Sequence, residues 1–236
     1  MNLNHQPIGI IHSCFKEKFG IPRQPGLATQ ASAQLELYPE YGSAEALRGL
    51  EAFSHLWVIF EFHACPEKQW RPTVRPPRLG GNQKIGVFAS RSNFRPNRIG
   101  LSAVKLIKIE QQANSHQLHL SGGDFLDGTP VLDIKPYLPY SDIIADAQGG
   151  FANSAPTNHY EIHFSPQAEQ EIKNRATQWP NLKPLLEEVL QQDPRPAYRQ
   201  AKPDQNEYAC HLYDFDLCWR VDGEQVTVVT LRHKSN

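Results

Sequence analysis

His55-Leu-Trp-Val-Ile-Phe-Glu-Phe-His63 is the stretch that decides the fold. It is dense in aromatic and β-branched side chains and reads as the strongest strand in the chain. Glu61 interrupts its apolar run, which is far too short to cross a membrane. Working outward, residues 7–11, 33–37, 84–89, 99–109, 117–121 and 130–135 read as further short strands bounded by Pro, Gly, Asn or Asp. In this half only residues 43–50, opened by Ser43 as an N-cap, read as a helix. Six or seven short strands with little helix between them predict an antiparallel sheet closing toward a barrel.

Past Tyr137 the composition changes. Residues 141–156 are rich in Ala, Gly, Asp and Ser and read as an exposed linker. A strand over 159–164 leads into Ser165-Pro166, a cap followed by proline in the first helical turn. Helices over 167–178 and 184–191 follow, and then a hairpin of 208–221 and 225–231 turning at Asp222-Gly223. The expected fold is mainly β: an antiparallel barrel over 1–140, a linker over 141–157 and a small α+β domain over 158–236.

Composition narrows the function. A net charge of −1 argues against a protein that coats nucleic acid indiscriminately. The N-terminus lacks the charged lead and apolar core of a secretion signal, and no stretch suits a membrane. The four cysteines form no Cys-x-x-Cys pair and read as reduced thiols of a cytoplasmic protein. His159 and His163 fall in a predicted strand, where four residues span about 13 Å, too far to share an ion. No metal is expected. P-loop, Gly-x-Gly-x-x-Gly and Gly-x-Ser-x-Gly patterns are all absent, which sets aside P-loop, Rossmann and esterase sites.

The charge that matters is local. Arg71, Arg75, Arg78, Arg91, Arg95 and Arg98 fall close together, and no Asp or Glu occurs from Gln69 to Lys108. Ser90-Arg-Ser-Asn-Phe-Arg-Pro-Asn-Arg98 separates two predicted strands. Three cations beside a phenylalanine and a Pro-Asn kink suit an anionic or π-rich ligand such as a nucleotide, a nucleoside cofactor or RNA. The plainer reading is a solvated basic loop. A second loop, residues 122–130, carries glycines that let backbone approach a ligand, with Asp124 and Asp127 beside them. For Asp127-Gly128 alone a tight turn explains as much. Residues 193–199 combine Arg195, Tyr198 and Arg199 with two prolines, suiting phosphate contact and base stacking. They suit equally a helix-ending loop whose arginines pair with Glu187 or Glu188.

Taken together, these segments resemble the TrmO (TsaA-like, YaeB) family of tRNA methyltransferases. The matching pieces are Pro22-Arg-Gln-Pro-Gly26, Leu50-Glu-Ala-Phe-Ser-His-Leu-Trp57, Trp70 to Gly81, Gly86-Val-Phe-Ala-Ser-Arg-Ser92, Arg95-Pro-Asn97, Asp127 to Tyr137 and Gln192 to Arg199. One departure stands out: Arg98 occupies the position where the family usually has a second proline.

The resemblance implies a non-Rossmann β-barrel methyltransferase with S-adenosylmethionine as donor. The implied product is methylated at N6 of threonylcarbamoyl-adenosine, position 37 of a threonine tRNA, and the implied assembly is a homodimer. Carried over by motif, the cofactor contacts are Pro22, Arg23, Gln24, His63, Ala64, Arg91, Leu101, Leu126, Asp127, Gly128 and Thr129. Asp124 is a further member of the site, and Asp127 and His63 are the candidates for a catalytic base. Arg95, Asn97 and Arg98 would face the substrate, while Arg195, Tyr198 and Arg199 would hold the anticodon arm. A non-catalytic module binding cofactor or tRNA on the same barrel, and a hydrolase using His63 and Asp127, are the competing readings.

Overall fold

The computed structural model describes residues 5–65, 70–156, 160–195 and 206–233. Six strands close a barrel: β1 (Gly9–Ser13), β2 (Ser32–Leu37), β3 (His55–Glu61), β6 (Ile99–Gln111), β7 (His116–Ser121) and β8 (Thr129–Pro136). Around the barrel they run β1-β2-β7-β6-β3-β8, and every pairing is antiparallel. The alternation of side chains along a strand explains the interior. Leu56, Val58 and Phe60 of β3 point inward and are buried, as are Val104 and Leu106 of β6 and Leu118 and Leu120 of β7. Gly100 is required by this packing, because a Cβ there would stand 2.2 Å from the Phe60 ring. Phe60 in turn meets Phe125 edge-on at 5.1 Å, beneath the loop that precedes β8.

Helix α1 (Ala44–Leu47) is capped by the Ser43 hydroxyl, which accepts from the Ala46 amide. The apolar residues 84–89, expected as one strand, divide instead. Only β5 (Ile85–Gly86) pairs, with β4 (Thr73–Val74), and residues 87–89 turn into a single 3-10 coil. Among the described residues no further strand pairs with them, and Phe88 is exposed to solvent.

After a short α2 (Pro139–Asp142) the second unit begins with β9 (Glu161–Phe164), α3 (Pro166–Arg175) and α4 (Leu182–Gln191). Its sheet is completed by β10 (Glu207–Leu212), β11 (Phe215–Asp222) and β12 (Gln225–His233), in the order β10-β11-β12-β9. The expected single hairpin over 208–231 is two hairpins, because Tyr213, with φ +50°, turns the chain between β10 and β11.

The two units share apolar packing. Cys14, Phe15, Ala28 and Ala31 lie in one buried cluster with Leu186, Val189, Leu212 and Phe215. The Glu188 carboxylate accepts from the Thr29 hydroxyl at 2.6 Å and the Gln30 amide at 2.8 Å, tying α4 to the loop before β2.

Candidate active site

A cavity of about 610 Å³ opens where β3 ends and β6 begins. Pockets of roughly 300–1,000 Å³ accommodate nucleoside-sized ligands. Of the residues expected to hold the cofactor, Pro22, Arg23, Gln24, His63, Ala64, Arg91, Leu101, Leu126 and Thr129 lie on its wall, joined by Asp124 and Arg95. The arginine loop and the loop over residues 122–130 both contribute to this wall.

Asp124 sits on a loop anchored by the buried Phe125. Its Oδ1 accepts from the Ser102 hydroxyl at 2.6 Å. Burial pushes its pKa up, opposed by that hydrogen bond, by a backbone amide and by the charge of Arg91. Ser102 went unassigned in the sequence reading. Its signal was a hydroxyl at an inward position of β6, otherwise filled by Gly100, Val104 and Leu106.

His63 lies just past β3, its Nδ1 3.5 Å from the Thr129 hydroxyl, which donates to the Leu126 carbonyl at 2.6 Å. Burial lowers the pKa of the ring, partly offset by Glu61. A neutral imidazole whose Nδ1–H faces Thr129 keeps Nε2 as an acceptor. Arg91 Nη1 donates to Gln24 Oε1 at 2.6 Å, bridging the arginine loop and the Pro22–Pro25 loop. Arg23 has its pKa lowered by burial and held up by the charge of Asp193.

Several expected site residues are employed elsewhere. Asp127 is absent from the cavity wall: Oδ1 accepts from the Ser13 amide at 2.9 Å and Oδ2 pairs with Lys16 at 2.8 Å. It fastens the loop to β1 and is a poor candidate for a base. Gly128, at φ +78°, supplies the turn beside His63 that a side chain would strain. Arg95 Nη1 donates to the carbonyls of Val87 and Ser90, so it braces its own loop as well as facing the cavity. Arg98 Nη1 donates to the Cys65 carbonyl, and neither Arg98 nor exposed Asn97 belongs to this wall.

Arg195 corrects the expectation of a tRNA contact most directly. It is 2% exposed, with Nε and Nη2 donating to the two Asp193 oxygens at 2.8 and 2.9 Å. The Tyr160 hydroxyl donates to the same carboxylate at 2.9 Å. Arg195 thus closes the turn after α4. Tyr198, Arg199 and His159 lie outside the described residues. Among those described, no cluster of His, Cys, Asp and Glu could hold a metal ion.

A second, wider groove of about 1,310 Å³ runs on from the cavity. Arg23, Gln24, Ser90, Arg91 and Ser92 line both, so the two spaces share one partition. The donor set of the first space fits S-adenosylmethionine. A half-buried carboxylate, Asp124, suits a sulfonium or ammonium charge, Arg91 and Arg23 suit a carboxylate, and Leu101, Leu126 and Phe62 offer apolar surface to a base.

The chain is similar to known proteins over nearly its whole length. Residues 10–143 match the family model of the tRNA-methyltransferase O N-terminal domain, and residues 157–234 match the TrmO C-terminal domain. A tRNA (adenine(37)-N6)-methyltransferase of Escherichia coli (strain K12) is 50% identical over 226 residues, 96% of each protein. A Pseudomonas aeruginosa protein named for S-adenosylmethionine-dependent methyl transfer is 49% identical over 90% of each. A crystal structure of TrmO from Pseudomonas aeruginosa matches with a TM-score of 0.79 at 39% identity, over 98% of this chain and 99% of that one. With both family domains in order across a barrel that carries a nucleoside-sized cavity, the chain belongs to the TrmO family of tRNA methyltransferases.

Proposed function

We propose that this protein methylates N6 of threonylcarbamoyl-adenosine at position 37 of a threonine tRNA, using S-adenosylmethionine. The observation that carries the reading is the shared partition. A cavity with a half-buried carboxylate opens beside a cationic groove, so donor and acceptor can meet across Arg91 and Gln24. The name of the Escherichia coli relative supports the adenine and its position.

When bound, the cofactor supplies an electrophilic methyl carried on sulfur. Transfer makes an N–C bond as the C–S bond breaks, so the N6 proton needs an acceptor. His63 Nε2 takes that role in this reading, because its ring is neutral and Asp127 is committed to Lys16. Asp124 balances the positive charge before transfer, and the apolar wall excludes water from the reacting atoms. In this reading Arg91 and Arg23 pair with the cofactor's carboxylate from the partition.

A second copy of the chain is the proposed partner. Ile99 and Leu101 are 40% and 50% exposed on the outer face of β6, at the cavity mouth, and would be covered in a homodimer. Light scattering on the purified protein reads the assembly. The thiols of the described cysteines are all free, which suits a cytoplasmic protein.

The deciding experiment incubates the protein and labelled cofactor with tRNA from cells that lack it. Label in threonine tRNA, lost when the threonylcarbamoyl group is absent, is the expected result. Tight tRNA binding without label in any tRNA would leave a non-catalytic module instead.

A further inference from the structure

The wider groove is built on three sides from different parts of the chain. Arg75 and Lys84 line it from the proline-rich loop and the approach to β5, and Phe88 stands on the turn after β5. Phe151 faces them from residues 149–156, the segment expected as a plain linker. The segment is not loose: the Arg78 guanidinium donates to the Ser154 carbonyl and holds it against the loop. Phe88 and Phe151 are 72% and 40% exposed, a large apolar surface to leave in water.

The charge around these rings has one sign. Every charged side chain on the groove wall is Arg or Lys, and no acid occurs from Gln69 to Lys108. Arg95 lies over the Phe88 ring at 5.4 Å, and Arg71 over the Phe94 ring at 4.6 Å. Aromatic faces interleaved with cations form the usual platform for unpaired nucleotides: bases stack, phosphates meet the cations. An acidic peptide would satisfy the cations and leave Phe88 and Phe151 without a role.

We infer that this groove binds the unpaired RNA nucleotides flanking the methylated adenosine, with bases on Phe88 and Phe151 and phosphates on Arg75 and Lys84. The connecting segment is then one wall of the RNA site. The inference rests on the reading of tRNA as the methyl acceptor, and it adds where the neighbouring nucleotides lie.

The test measures binding of an anticodon stem–loop RNA by fluorescence anisotropy, with no cofactor present, across a salt series. Phe151→Ala and Phe88→Ala should each weaken binding about tenfold, and Phe151→Trp should restore it. Arg75→Ala should lower the slope of log affinity against log salt by about 0.7. Cofactor affinity, read separately by calorimetry, should stay at the wild-type value in Phe151→Ala. Wild-type RNA affinity and slope in all three alanine variants would overturn the inference, as would an acidic peptide that outcompetes the RNA. Because methyl transfer is not read, groove binding by a protein that methylates nothing would sink the proposed function and leave the groove standing.

Discussion

Asp124 is where function and stability pull against each other. Its pKa is raised by burial, so between its ordinary and raised values the native state binds more protons than the unfolded chain. Stability conferred by the protonated form is therefore present at low pH and lost as pH rises through that window. Asp124→Asn keeps an acceptor for Ser102 and removes the buried charge. Thermal melts should show the variant more stable than wild type near pH ~7 and equal to it near pH ~3, with methyl transfer lost. His63 carries the opposite shift. Burial lowers its pKa, so the neutral ring persists to lower pH than an ordinary histidine's. His63→Gln should reduce the single-turnover rate about 10²–10⁴-fold and remove the acid limb, below about pH 6.5, from the kcat/KM profile. The residue types of this site were legible in sequence, but their employment was not. Asp124 and Asp127 look alike in Gly-Gly-Asp-Phe-Leu-Asp-Gly. Only the fold shows that one finds Ser102 and the other finds Ser13 and Lys16.

At the scale of elements, the six barrel strands were easy to read and the short β4–β5 pair was not. β3 pairs with β6 and β8, and its Leu-Val-Phe alternation states which face is buried. Residues 84–89 carry similar apolar content but find only the two-residue β4, so pairing stops at Gly86. Hydrophobicity proposes a strand; a neighbouring edge completes it. Caps are more local and read well. Ser165 Oγ accepts from the Ala168 amide at 3.0 Å and donates to the Val229 carbonyl at 2.7 Å, so it both starts α3 and fixes it to β12. Ser165→Ala should cost about 1–2 kcal/mol in urea unfolding. Loss of the cap without loss of m-value would show that only stability changed.

For the whole molecule, the linker reading caught a change of composition and missed the contact that matters. Residues 14–31, early in the chain, pack into the core of the second unit, and Glu188 bonds to Thr29 and Gln30. Such a contact spans most of the sequence, and no local pattern announces it. Phe15 is 1% exposed at this junction. Phe15→Ala should destabilise the protein by about 3–5 kcal/mol. Calorimetry should still show one transition, because both units lose the same core. Two separated transitions would mean the units fold independently.

The cavity and the groove share the partition of Arg91 and Gln24, and that has a kinetic consequence. With one ligand on each side of that partition, neither substrate is expected to have to arrive first. Initial rates at varied donor and RNA should give intersecting double-reciprocal lines, and each substrate should bind in the absence of its partner.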